Sequence, residues 1–187
     1  EILVPHDGLQ HELVQMAAEN ATETLQALRT QWQADTHKQE QALAELQSAL
    51  QLPAAPNRVE CYDISHTQGV ATVGSMVVFT QGVPDKKLYR RFNIEGLAGV
   101  PDDFARMEEV LRRRFKRWQA AQEKDLSPGS KPDESFTFLP DLLIVDGGKG
   151  QLARAVEVLQ EFELFDKVPV VGLAKQEEEI FFPNKSD

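Results

Sequence analysis

The chain of 187 residues has a single cysteine, Cys61, and only two tryptophans and two tyrosines. One thiol cannot close an internal disulfide, and without a Cys/His cluster no zinc finger or ribbon can be assembled. Long apolar runs are also missing: nothing approaches the roughly 18 consecutive apolar residues that span a bilayer. The first residues do not form the charged-then-apolar pattern of a secretory leader. These absences make the cytoplasm the expected compartment and leave the membrane without a role. Two catalytic signatures are missing as well. No G-x-S-x-G elbow supports a serine hydrolase, and no G-x-x-x-x-G-K-[ST] loop supports a nucleoside triphosphate site.

The chain is not short of charge, but its balance is acidic, with a net charge of −10. Residues 1–50 hold eight acids against two bases, a balance of −6. Residues 86–118 hold ten bases against five acids, a balance of +5. A basic surface confined to one part of an acidic chain is compatible with nucleic acid.

Glycine and proline are absent between Gly8 and Pro53, and residues 7–50 read as one helix or two. Asp7 and Gln10 suit a capping box at its start. Leu13, Met16, Ala17, Asn20, Ala21, Thr24 and Leu28, then Leu43, Leu46 and Leu50, recur at helical spacing. The expectation is a helical arm packed on the next domain. Pro53 and Pro56 end it.

Beyond the prolines the period shortens to two. Residues 58–65 alternate, residues 73–80 are rich in β-branched side chains, and residues 87–94 set Leu88, Arg90, Phe92 and Ile94 against Lys87, Tyr89, Arg91 and Asn93. Short turns join these three strands, which predicts an antiparallel meander. Pro101 opens a helix with a stripe of Phe104, Met107, Val110, Leu111 and Phe115. Its Arg112–Arg117 cluster suits either phosphate contacts or a solvated face. Residues 123–137 read as a loop. Leu142-Leu143-Ile144-Val145 is apolar throughout, as buried parallel strands are. A helix marked by Leu152, Ala155, Val156, Leu159 and Phe162 comes next, then an apolar strand over residues 168–173. The order β-β-β-α-β-α-β predicts an α/β fold: a mixed sheet, three antiparallel strands then parallel ones, with flanking helices. That is the RNase H-like skeleton.

Asp63 lies on the first strand and Asp146 closes the fourth, which the topology puts side by side. Ionised carboxylates beside apolar strands need a counter-charge. Mg²⁺ or Mn²⁺ would supply one and prefers oxygen donors. The plain alternative has Asp146 capping the next helix and Asp63 satisfied by backbone donors. Gly147-Gly148-Lys149-Gly150-Gln151 suits either a phosphate cradle at a helix N-terminus or a tight turn needing positive φ. Ser65 and His66 are adjacent on a strand, so their side chains point apart, and a serine nucleophile is disfavoured. The candidate DNA contacts are His66, Lys87, Arg90, Arg91, Lys149, Gln151 and Lys175.

The blocks Val59-Glu60-Cys61-Tyr62-Asp63-Ile64-Ser65-His66-Thr67-Gln68-Gly69, Tyr89-Arg90-Arg91-Phe92, Asp102-Asp103-Phe104-Ala105-Arg106-Met107 and Pro140-Asp141-Leu142-Leu143-Ile144-Val145-Asp146-Gly147-Gly148-Lys149-Gly150-Gln151-Leu152 resemble, in this order, the excinuclease C subunit (UvrC) family. The resemblance covers residues 58–187, and the helical start is similar to the family's connecting segment. It implies residues 1–56 as that segment and 57–187 as an RNase H-like endonuclease domain. It also implies nucleotide excision repair: damaged double-stranded DNA cut on the 5′ side of a lesion, with Mg²⁺ or Mn²⁺ and with UvrA and UvrB as partners. Asp63 and Asp146 match the two catalytic aspartates. The family's catalytic histidine beyond the last strands has no match, because His6, His11, His37 and His66 all lie upstream. The helix-hairpin-helix module, the N-terminal nuclease domain and the UvrB-binding segment are absent too. The expectation is therefore a domain lacking its C-terminal end, with little or no activity alone. The competing readings are a non-catalytic RNase H-like module that binds DNA or protein, and a same-fold repair nuclease acting on deaminated bases.

Overall fold

The computed structural model describes residues 5, 7–67, 71–94, 103–123, 133–174 and 179–183. Its contacts divide the chain into two units, residues 1–42 and 43–187. One helix, α1 (Gly8–Leu50), crosses that division without a break, as the lack of glycine and proline allows. The expected stripe is exposed along most of its length: Leu13, Met16 and Leu28 are each more than half exposed. Only the last turns are covered, where Leu46 and Leu50 pack with Val59, Leu142 and Val171.

The second unit is built on one mixed sheet. Strands β1 (Arg58–Thr67), β2 (Ala71–Thr80), the two-residue β3 (Val83–Pro84) and β4 (Arg90–Ile94) come first. Helix α2 (Asp103–Glu123) and the short α3 (Glu134–Thr137) precede β5 (Leu142–Asp146). Helix α4 (Lys149–Glu161), β6 (Val170–Ala174) and β7 (Glu179–Phe181) complete the order. The spatial order is β3-β2-β1-β5-β6-β7, with β4 paired to β2. β1 runs antiparallel to β2 and parallel to β5, β5 is parallel to β6, and β7 returns antiparallel at the edge. The α/β fold with a central first strand is the one expected.

Three local expectations change. The third strand begins at Arg90, since Lys86–Leu88 forms a 3₁₀ turn that Asp85 caps by accepting from the Lys87 N–H. Part of the expected loop is helical: Asp133 caps α3 and lets Ser135 and Phe136 bury themselves. The arginine cluster does not form one solvated face. Arg112 pairs with Glu108 and Glu161, Arg113 pairs with Glu109, and Arg114 is fully buried.

The two faces of the sheet have different fates. Tyr62, Met76, Val78, Phe92, Leu143 and Val145 face α2 and α4, where Met107, Val110, Leu111, Phe115, Ala155, Val158 and Leu159 complete the main core. Fully burying such side chains stabilises by about 1.5–3 kcal/mol each. Glu60 lies buried among them, accepting from Arg58 and Tyr62 and facing Arg114. Alternation sends Val59, Cys61 and Asp63 to the opposite face. There the end of α1 covers the first half of β1, β5 and β6 and leaves the second half open.

Candidate functional site

Both aspartates stand on the open half. Tyr62 and Val145 are the last register partners of β1 and β5, and the next residue on each strand is Asp63 or Asp146. Parallel neighbours in register share a face, so the carboxylates lie side by side, each partly exposed. Cys61 reports their common face. Its thiol is pushed up to about 11 by burial, then by the charge of Asp146, then by that of Glu60.

The register extends this pair into a row across the sheet. Arg91 pairs with Ser75, and Ser75 with Asp63. On the other side Asp146 pairs with Leu173, and Leu173 with Ile180. The row therefore reads base, hydroxyl, two carboxylates, then two apolar residues, with Leu173 37% and Ile180 41% exposed. Arg91 is exposed on the carboxylate face, two strands from Asp63, or about 10 Å at the usual strand spacing.

Two serines attend Asp63. The Ser65 hydroxyl donates to Asp63 Oδ2 at 2.6 Å, and the Ser75 hydroxyl to the Asp63 carbonyl at 3.4 Å. Neither role is evident in the sequence, although period-two spacing already puts residues 63 and 65 on one face.

The remaining candidates divide. Arg90 turns to the core face: it donates to the carbonyls of Lys87 and Tyr89, pairs with Asp133 at 2.7 Å and lies over the Phe136 ring. Lys87 is exposed on the 3₁₀ turn. Lys149 is the first residue of α4, with Nζ 5.4 Å from the centre of the Phe181 ring. Gln151 is folded back, its Oε1 accepting from the Gly148 N–H at 3.0 Å. His66 is placed on β1, opposite Thr72. Lys175 lies outside the described residues.

The glycine-rich turn is not held by positive φ. Among the described glycines that conformation belongs to Gly8 and Gly82, and Gly148 is extended at φ −79°. Close approach explains the glycines instead. A Cβ on Gly147 would overlap the Gln151 side chain, one on Gly150 would overlap the Phe104 ring, and one on Gly172 would press on the Gly147 carbonyl. The residue capping α4 is Gly148, so Asp146 is not the cap. The turn locks the end of β5 to β6 through the Gly147 N–H and the Leu173 carbonyl, 2.9 Å apart.

Two hard-oxygen carboxylates on one row match the donors that Mg²⁺ and Mn²⁺ accept, since such ions keep several waters and need only one or two carboxylates. Among the described residues no group of three or more His, Cys, Asp or Glu side chains gathers in a metal-binding cluster. The pair fits such a cation, with water or substrate oxygens completing its shell.

A central strand flanked by one antiparallel and one parallel neighbour, with carboxylates at the adjoining strand ends, defines the RNase H-like class. The chain belongs to the family described as the UvrC RNase H endonuclease domain, which matches residues 47–187. The UvrABC system protein C of Gloeobacter violaceus is 46% identical over 100% of this chain and 27% of its own length. That of Desulforudis audaxviator is 49% identical over 98% of this chain and 29% of its own length. The chain thus spans less than a third of these curated relatives. Solved structures with some likeness include human ENDOV, 19% identical over 75% of this chain and 59% of that one, with a TM-score of 0.41. Endonuclease V of Ciona intestinalis, in complex with an inosine-containing DNA, is 14% identical over 75% of this chain and 60% of that one, with a TM-score of 0.44. Among the described residues no helix is long and apolar enough to cross a membrane.

Proposed function

We propose that this chain carries the metal-dependent nuclease centre that makes the 5′ incision in UvrABC nucleotide excision repair. The substrate is damaged double-stranded DNA, the partners are UvrB and the UvrA system, and the compartment is the bacterial cytoplasm. The observation that carries the reading is the in-register placement of Asp63 and Asp146 on adjacent strands, within a chain of this endonuclease family.

Asp63 and Asp146 would hold Mg²⁺ or Mn²⁺, which when bound lowers the pKa of a coordinated water and draws charge from a phosphate oxygen. The chain's own contribution is position. β1 and β5 fix the two carboxylates relative to one another, and the α4 turn fixes the end of β5. Arg91, on the same row, is placed for a neighbouring phosphate of the cut strand, and Lys87 for one farther along the β2 edge. Lys149 adds positive charge at the α4 N-terminus. Leu173 and Ile180 bound the row on its other side and offer no competing polar group.

The test is calorimetric titration of the chain with Mn²⁺ beside Asp63→Ala and Asp146→Ala. Binding that vanishes in both variants supports one shared site. Binding that persists unchanged in both overturns the assignment.

A further inference from the structure

Ser65 lies two residues beyond Asp63 on β1, on the same open face, and is exposed. Its Oγ donates to Asp63 Oδ2 at 2.6 Å, the short length of a hydroxyl bonded to an ionised carboxylate. Burial does not demand this bond, because water can reach both groups. Its effect is orientational: a carboxylate bonded through one oxygen loses rotation about its side-chain torsions. Asp63 is anchored a second time through its backbone, where the Ser75 hydroxyl reaches its carbonyl. Side-chain and main-chain anchors together would be superfluous for a solvated surface acid. They are what a ligating carboxylate uses, since hydrogen-bonded neighbours orient metal ligands and tune affinity.

We propose that Ser65 is a positioning residue: its hydroxyl fixes the Asp63 carboxylate so that, with Asp146, it is preorganised for a divalent cation. The inference rests on the cation reading above. It gives Ser65 a role other than the nucleophile that the sequence already disfavours, with the hydroxyl proton directed at Asp63.

The experiment uses the whole chain with Ser65→Ala and Ser65→Thr, read in two ways. Without metal, three-bond NMR couplings from the Asp63 Cγ to its backbone nitrogen and carbonyl carbon report the χ1 rotamer. One rotamer is expected in the native chain and in Ser65→Thr, with averaging in Ser65→Ala. With Mn²⁺, calorimetry is expected to show affinity about 10-fold weaker in Ser65→Ala, the lower end of such effects, and restored in Ser65→Thr. A Ser65→Ala chain that keeps either the single rotamer or the native affinity overturns the proposal. If Asp63→Ala and Asp146→Ala leave Mn²⁺ binding intact, the cation reading fails and this inference fails with it. The metal-free couplings distinguish that case from a hydroxyl that holds nothing.

Discussion

Arg114 and Glu60 form an ion pair with both side chains at 0% exposure, Nη2 standing 2.8 Å from Oε1. The Arg114 guanidinium also reaches the carbonyls of Phe136 and Phe138, and Glu60 accepts from Arg58 and the Tyr62 hydroxyl. The pair thereby ties α2 and the α3 region to β1, the strand that carries Asp63. Burial is the largest single effect and acts against the charge on Arg114, but Glu60 and Tyr62 together outweigh it, and the guanidinium pKa is raised.

Removing Glu60 strands two buried guanidinium groups, Arg58 and Arg114, and leaving a buried charge unpaired typically costs about 3–5 kcal/mol. Glu60→Gln should lower unfolding stability by that order in urea titrations, and Arg114→Met by less, because Glu60 keeps Arg58. The double variant Glu60→Leu/Arg114→Leu should lose less than the sum of Glu60→Leu and Arg114→Leu, because the Arg114 charge that Glu60→Leu alone leaves unpaired is gone and Arg58 alone faces the vacated carboxylate site. Additive losses would show that the two residues do not act as a unit.

This pair also marks where sequence reading stops short. Helical spacing groups residue 114 with Met107, Val110 and Leu111, and strand alternation groups residue 60 with Tyr62, so both burials are legible from the periods. Charge overrides them: in sequence, Arg114 reads with its surface neighbours as one basic cluster. The order of elements, the central first strand and the two aspartates are legible because each rests on local periodicity and a short list of topologies. The Ser65 bond, the folded-back Gln151 and the split between Arg90 and Arg91 are not, because they depend on side chains meeting across the fold. The glycine-rich turn shows the same limit: Phe104 and Gly150 are 46 positions apart in the chain, and their contact has no sequence signature.

Gly150 offers a test in which two effects oppose each other. Replacing a helical glycine by alanine ordinarily gains about 1 kcal/mol. Here the new Cβ overlaps the Phe104 ring, and overpacking costs about 1–3 kcal/mol. The ring is half exposed and can give way in part, so Gly150→Ala should be destabilising by about 1 kcal/mol. In a Phe104→Ala background the same change should become stabilising. Thermal or urea unfolding of the four chains decides it, and a stabilising Gly150→Ala with Phe104 in place would contradict the packing described.

Arg90 and Arg91 are neighbours in sequence with opposite expected phenotypes. Arg91 is exposed on the carboxylate row, whereas Arg90 is engaged with Asp133 and two carbonyls on the other side. Arg91→Ala should weaken DNA binding and flatten its dependence on salt by about one unit of slope, the mark of one lost phosphate contact. Arg90→Ala should leave that slope unchanged and instead lower stability by about 1 kcal/mol. Fluorescence anisotropy with duplex DNA across a salt series measures the first effect, and urea unfolding the second. Equal slopes for the two variants would remove Arg91 from the interface.

Cys61 provides a chemical readout of the acid row. Its thiol is raised from 9.0 to about 11, by burial first and then by the charges of Asp146 and Glu60. The thiolate is the reactive species, so at pH 8 the folded chain should react with iodoacetamide about 100-fold more slowly than a free thiol, as the rise from 9.0 to about 11 implies. The rate should still be climbing at pH 10. The same shift sets the sign of the stability change. The unfolded thiol loses its proton near pH 9 while the folded one keeps it, so the contribution to stability is complete below pH 9 and is lost as pH rises towards 11. Cys61→Ala should flatten that part of the stability profile. Asp146→Asn removes one of the two charges and should lower the thiol's pKa, speeding alkylation at a fixed pH between 8 and 9, whereas the same change at Asp141, at the opposite end of β5, should not. A plateau in the native chain's alkylation rate near pH 9 would contradict the burial. Unchanged alkylation in Asp146→Asn would separate Asp146 from the face that Cys61 and Asp63 share, and with it the case for a joint site.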